Sequence, residues 1–337
     1  MNIKHLLLAS AAILYLAACN KEVTAPVQSQ FPEDGVMRFT TNLVDPTIAT
    51  TRASITGSDV NTNGQQFQVK IVNPTSAMYS YFETIQYDGS EWTPVNRMLW
   101  QNDQQSITVT AAYKQGKAFS DNEFVNGTNL TVAADQSTEG LLKQQDLLTM
   151  PTKTIANPST ETALLSGGKL VINFYHALAK LDVTLDLANE FYKVDPKLNN
   201  ATDITEFTIS GTNAGYSFKA METANENYGT VTATAATAAD ILANQCAFTA
   251  ASDADMHSYA TYEAIVVPQE IAAGALTVSF KIGSRSFSWT NTVAYSLEQG
   301  KHYTLPLTVG YDTVTLGANA FSAGTWNNQT GDNLGTE

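Results

Sequence analysis

The chain carries little of the chemistry that catalysis or metal binding needs. Its 337 residues include two cysteines and four histidines. No His-x-x-x-His or Cys-x-x-Cys spacing occurs, so the sequence specifies no metal-ligand set. The serines of Ser166-Gly167-Gly168 and Ser210-Gly211 lack the Gly-x-Ser-x-Gly elbow, and no motif places a base beside them. Carboxylates are numerous, but a glycosidase pair needs a larger cleft than small β-domains offer. The sequence therefore reads as a non-enzyme with no cofactor. Positive charge is also scarce: 18 Lys and Arg face 32 Asp and Glu, giving a formal net charge of −14. That balance excludes a nucleic-acid partner, because phosphate neutralisation needs clustered cations. Beyond the first twenty residues, no apolar run approaches the about 20 residues that span a bilayer.

What is present begins at the N-terminus. Lys4 precedes the apolar run Leu6 to Leu14, which closes on Leu16-Ala17-Ala18-Cys19. A short cationic start, a short apolar core and a small-residue cleavage site describe a secretory signal over residues 1–18. Cys19, directly after Leu-Ala-Ala, resembles the lipobox of bacterial lipoproteins. That resemblance implies cleavage between Ala18 and Cys19 and diacylglycerol on the Cys19 thiol; with more than one acyl chain the anchor is durable. Lys21-Glu22 loosely resembles a surface-export signal. With Cys19 committed to lipid, Cys246 has no partner, and no intramolecular disulfide forms.

The remaining chain, roughly 320 residues, is long enough for two domains. A polar tether with Pro26 and Pro32 leads to Met37–Leu43, where Met37, Phe39, Thr41 and Leu43 share one face of a half-buried strand. Further strands are expected at 66–72, 79–87, 106–113 and 129–133. Asp88-Gly89 marks a hairpin before Trp92. The Pro, Ser, Thr and Gly content of 154–168 places a domain boundary there. Later strands fit 169–174, 181–187, 206–209, 259–267, 276–282, 286–290, 303–309 and 314–316. Residues 233–242 form the one expected helix of note, weakened by its threonines. Short strands separated by turn residues predict an all-β fold of sandwich type, not a parallel sheet.

These fragments together resemble the fimbrillins, the subunits of type V pili of Gram-negative gut and oral anaerobes. The resemblance runs through Cys19, Met37-Arg38-Phe39, Thr51-Arg52-Ala53, Gln145-Asp146-Leu147-Leu148 and Phe174 to Leu181. It continues through Ala264 to Gln269, Leu297 to Tyr303 and the tail with Trp326. It implies two transthyretin-like β-sandwich domains in tandem, here 53–165 and 166–337, behind a tether and removable first strand at 19–52. It also implies polymerisation by strand exchange. A protease cuts after Arg52, before Ala53; the strand bearing Met37, Phe39, Thr41 and Leu43 leaves; and a neighbour's C-terminal segment replaces it. Val314, Leu316, Ala318 and Ala320 lie in period two and form the candidate donor strand, or equally the last strand of their own domain. The implied partners are other fimbrillin subunits, the outer membrane through the lipid anchor before processing, and a host or bacterial surface receptor. Arg52 argues against an anchor role, and the length favours a stalk subunit over a tip.

The rival reading is a monomeric glycan-binding surface lipoprotein, with Tyr79, Tyr81, Trp92 and Trp100 as a stacking platform. Those aromatics fit core positions better. His176 reads as a hydrogen-bonded structural residue at the domain boundary, and Cys246 as a buried apolar filler.

Overall fold

Alternation of apolar and polar residues dominates this chain, and it folds accordingly as all-β. The computed structural model describes residues 29–44, 55–193, 197–223, 227–234, 238–317 and 321–325. The first part contains β1 (Phe39–Leu43), β2 (Gln66–Val72), β3 (Tyr81–Tyr87), β4 (Trp92–Pro94) and β5 (Ile107–Tyr113). It continues with β6 (Thr128–Thr131), β7 (Leu148–Ile155), β8 (Leu165–Ser166) and β9 (Lys169–His176). Then follow β10 (Ala179–Leu187), β11 (Ile204–Asn213), β12 (Gly215–Thr223), β13 (Gly229–Ala233), β14 (Ala238–Leu242) and β15 (Asn244–Thr249). The last are β16 (Ser258–Val266), β17 (Gln269–Ile271), β18 (Thr277–Ile282), β19 (Arg285–Thr290), β20 (Tyr295–Leu297), β21 (Lys301–Val309), β22 (Val314–Leu316) and β23 (Ser322–Thr325).

The first sheet runs β1-β4-β3-β2-β5-β7-β9-β8, and β1 also pairs β9, so the sheet closes on itself. The β8–β9 hairpin depends on glycine. Gly167 and Gly168 have φ of 56° and 76°, the double positive-φ turn that matches strand twist. The hairpin expected at Asp88-Gly89 forms, with Tyr87 opposite Trp92. In the second part, β15-β16-β10-β21 with β22 and β23 make one sheet, and β14-β11-β18-β19 another. Ala179, Leu181, Val183, Leu185 and Leu187 of β10 point into the core between them, as period two requires.

The expected boundary at 165/166 does not match sheet membership. Strand β9, assigned from sequence to the second domain, is hydrogen-bonded to β1, β7 and β8 of the first sheet. The change of sheet falls at Ala177-Leu178, both fully buried. Pairing crosses the boundary elsewhere too. Strand β6 pairs β12, and Leu242 is bonded to Ala134 and Gln136. The Gln136 carboxamide both donates to and accepts from the Ile265 backbone at 2.9 and 2.8 Å, so it mimics a peptide unit. A third core cluster joins Phe119, Phe124 and Leu147 to Tyr216, Phe218 and Ile265.

Two local expectations are corrected. Among the described residues of 233–242 no helix forms: Ala233 ends β13, and 238–242 is the strand β14. Ala and Asp have low strand propensity, so it is the pairing with β11 that decides the outcome. Tyr79 lies in a single 3₁₀ turn, and the strand begins at Tyr81.

Because β9 completes the first sheet from beyond the boundary, a fragment ending at residue 165 should not fold. Circular dichroism on residues 29–165 should show no cooperative melting transition, while the intact chain melts cooperatively; a cooperative fragment would mean that β9 is dispensable.

Candidate functional site

The expected removable strand, β1, is the joint of the closed sheet. Phe39 lies opposite Trp92 of β4 in antiparallel pairing. On the other side, Phe39 to Leu43 pair in parallel with Leu170 to Phe174 of β9. Short bonds extend this seam in both directions: Met37 N–H donates to Met98 O at 3.0 Å, and Val44 N–H to Phe174 O at 2.9 Å.

Alternation turns Met37 and Phe39 inward, each 1% exposed. Leu43 packs half-buried against the same core, which holds Phe67, Trp92, Leu170, Ile172 and Phe174. The Phe39 ring meets Phe67 edge-on at 6.5 Å, and Phe67 meets Phe174 at 5.3 Å. Thr41 sits on the same face but is only half-buried. Its Oγ1 donates to Asn61 Oδ1 at 3.0 Å, and the same oxygen accepts from Trp92 Nε1 at 2.7 Å. Asn61 thus ties β1 to β4. At the start of the strand, Asp34 accepts from Arg38 at 3.0 and 2.6 Å. The Arg38 guanidinium and then the Val36 N–H hold the Asp34 carboxyl well below the usual carboxylate range. Phe31 packs edge-on against Trp100 at 5.7 Å.

The second candidate segment belongs to the sheet of β21. After β21 the chain turns back along the free edge of that strand. Strand β22 pairs Leu307–Val309, and β23 pairs Lys301–Thr304. Pro306, which has no N–H, stands between the two ladders, and proline inside a strand belongs at an edge. Val314 is half-buried and Leu316 is 39% exposed. Its side-chain attachments include Phe321, stacked on Tyr295 at 4.1 Å and on Tyr303 at 5.4 Å, Val314 packed on the same core, and Asp312, which accepts from Arg285 at 2.6 Å. Of the two placements left open for Val314 and Leu316, the described chain takes the one within its own sheet. Ala18, Cys19, Arg52, Ala53, Ala318, Ala320 and Trp326 lie outside the described residues.

The other candidates resolve as structural. Trp92 and Trp100 are 4% and 5% exposed, too buried to stack on a sugar. His176 Nδ1 lies 2.7 Å from Asp146 Oδ2, both fully buried at the junction. Cys246 differs from the apolar filler expected. It is half-buried, and its thiol donates to Thr261 O at 3.4 Å. Burial, then Glu263 and Asp182 nearby, pushes that thiol pKa up, so it is unreactive. Among the described residues, no cluster of three or more His, Cys, Asp or Glu could hold a metal ion.

The sequence pattern of the fimbrillin-like family matches residues 51–321. This chain belongs to the fimbrillin-like family. The fold of this fimbrillin-like protein is similar to that of a candidate cell-adhesion protein from Bacteroides uniformis. The two share 16% identity and a TM-score of 0.55, with 88% of this chain and 99% of that one covered. A second candidate cell-adhesion protein, from Bacteroides ovatus, has 15% identity and a TM-score of 0.55, with 85% and 96% covered. No curated relative matches.

In the fimbrillin-like protein, sequence reading identified the strand that occupies the slot but not its walls. It missed the partner role of β9, although the alternation of Leu170, Ile172 and Phe174 was visible. Nothing local marks Asn61.

The contrast between the two segments is measurable. Phe39→Ala should cost the intact chain about 3–5 kcal/mol, as for a buried aromatic. Leu316→Ala should stay within about 0.5 kcal/mol. Denaturant melts compare them; equal losses would mean that the slot is no better packed than the surface edge.

Proposed function

We propose that this protein is a structural subunit of a cell-surface fimbria that supports adhesion, assembled by protease-triggered strand exchange. The observation that carries the reading is the double pairing of β1. It is bonded on both sides, fills an apolar slot with Phe39 and with Met37 just before it, and precedes Arg52 closely in the sequence. Removing such a strand exposes unpaired N–H and C=O groups on β9 beside an empty apolar trough. That edge favours pairing with another chain.

In this reading the precursor reaches the outer membrane and is held there by lipid on Cys19. Cleavage between Arg52 and Ala53 then frees β1. The incoming segment is the C-terminal stretch of a neighbour, with Val314, Leu316, Ala318 and Ala320 as its slot-facing side chains. Two facts favour that donor: β22 and β23 occupy a sheet edge, and their outward side chains are largely exposed. Leaving the edge costs little apolar burial, while entering the slot recovers the roughly 1.5–3 kcal/mol per side chain that β1 had contributed. Use of the same two surfaces by each copy gives an open head-to-tail polymer, the geometry of a filament. Arg52, as the candidate processing position, supports a stalk role over an anchor role. Other fimbrillin subunits are the partners, and a surface receptor is the adhesive target.

Trypsin treatment of the folded precursor tests the cut. A single cleavage after Arg52 followed by higher multimers on size exclusion is expected; a cleaved product that stays monomeric overturns the reading. The need for strand departure has its own test. Asn42 Nδ2 donates to Asn173 Oδ1 at 3.2 Å across the β1–β9 seam. Asn42→Cys with Asn173→Cys should therefore lock β1 in place when oxidised. Trypsin should then cut without producing multimers until a reductant is added. Multimers from the oxidised form would show that β1 need not leave.

A further inference from the structure

The geometry points to a self-formed covalent bond in the second part of the molecule: an amide between the Lys180 side chain and the Glu263 carboxyl, which locks β10 to β16. It is independent of the strand-exchange reading.

Strand register creates the encounter. Strands β10 and β16 are antiparallel, with Lys180 opposite Ile265 and Asp182 opposite Glu263. Lys180 and Glu263 are therefore diagonal neighbours on one face, a relation that puts Cβ atoms about 7 Å apart. A lysine and a glutamate reaching toward each other span that gap with their ends in contact. They do so here: Lys180 Nζ lies 2.9 Å from Glu263 Oε1.

Two features separate this contact from a surface ion pair. The first is burial. Lys180 and Asp182 are 2% exposed, His302 is 3% exposed and Glu263 is 0% exposed. Buried charges are costly even when paired, so a neutral product gains more there than in water. Exclusion of water also protects an amide, once formed, from hydrolysis. The second feature is a third group beside the pair. Asp182 Oδ1 lies 3.8 Å from Lys180 Nζ, and Asp182 Oδ2 lies 2.8 Å from His302 Nε2. His302 stands opposite Lys180 in the β10–β21 ladder and so holds the Asp182 carboxyl in place.

The chemistry balances within these residues. The Lys180 ammonium passes one proton to the Glu263 carboxylate, leaving an amine and an acid. Nζ then attacks Cδ of Glu263. Asp182 takes a proton from the nitrogen and returns it to the departing hydroxyl. The Cδ–O bond breaks, water leaves, and the Nζ–Cδ amide remains. One ammonium and one carboxylate become a neutral amide and a water, with Asp182 restored and no oxidant, reductant or cofactor consumed. A held contact makes the reaction intramolecular, which removes the entropy cost of encounter. The product closes the chain from 180 to 263 into a loop, which restricts the unfolded state as any cross-link does.

A tryptic digest reads the bond, because trypsin does not cut after an acylated lysine. In the free form, cuts at Lys169, Lys180 and Lys193 release peptides 170–180 and 181–193, and cuts at Lys219 and Lys281 release 220–281. The full chain, purified folded and denatured only for digestion, should instead give 170–193 uncut and joined to 220–281, one water lighter than their sum. Lys180→Met should release 220–281 in free form. Asp182→Asn should slow the linkage by about 10²–10⁴-fold, so that 170–180 and 181–193 appear. Full yield of 170–180 and 181–193 from the wild-type chain overturns the inference. So does a water loss that maps elsewhere, such as Asp88-Gly89. Equal linkage in Asp182→Asn overturns the proton role of Asp182. The wild-type digest decides the bond itself, whether or not either variant folds.

Discussion

The first sheet depends on one edge, that of β9. A strand with unpaired backbone groups beside an apolar trough is unstable in water, because both the peptide groups and the side chains below them need cover. Strand β1, with Met37 just before it, supplies both. Phe39 and Met37 fill the trough, and the parallel ladder from Leu170 to Phe174 satisfies the backbone. Because β1 also reaches Trp92 on β4, it closes the sheet and does not merely extend it. A closing strand is bonded on both sides yet covalently tied to the sheet only through its flanking chain. That combination makes its pairing depend on strands that lie far from it in the sequence.

The junction between the two parts has the opposite character. It is woven from several crossings: β6 on β12, Ala134 and Gln136 on Leu242, and the Gln136 carboxamide on Ile265. Buried charge adds selectivity. His176 pairs with Asp146 below the crossover, and Lys180 reaches Glu263 at 2.9 Å just above it. His302 Nε2 lies 2.8 Å from Asp182 on the same face of the sheet. Buried ionic groups are costly unless paired, so a slipped register of β10 against β16 or β21 would strand them. The junction is held by several crossings spread along the chain, whereas the first strand is held by the two seams that flank it.

The C-terminal strands stand between these extremes. They complete an edge without filling a trough. Pro306 interrupts the seam, and Phe321 and Val314 are among the apolar contacts. Lys114 shows the same grading of burial near the crossover. Burial there pulls its ammonium down to about 8, against the opposing field of Asp146. The neutral amine is favoured in the folded state, so its contribution to stability rises with pH between about 8 and the ordinary lysine value of 10.5.

Much of this was legible in the chain. The period-two runs at Met37–Leu43, Gln66–Val72 and Leu181–Leu187 fixed the class of fold, because an extended strand with one buried face permits little else. The scarcity of cations and of spaced histidines left no sequence signal for nucleic-acid or metal roles, since those functions need specific residue types. The family was readable from short fragments in order. Partner choice was not. Alternation says that β1 has an inward face but not that β9 and β4 flank it. It could not show that Lys169–His176 belongs to the first sheet, that 238–242 is a strand beside β11, or that Asn61 ties Thr41 to Trp92. Residue pattern sets local periodicity, which short-range sterics and burial dictate. Which strands meet is decided only when the whole core closes, because pairing energy is shared among contacts far apart in sequence.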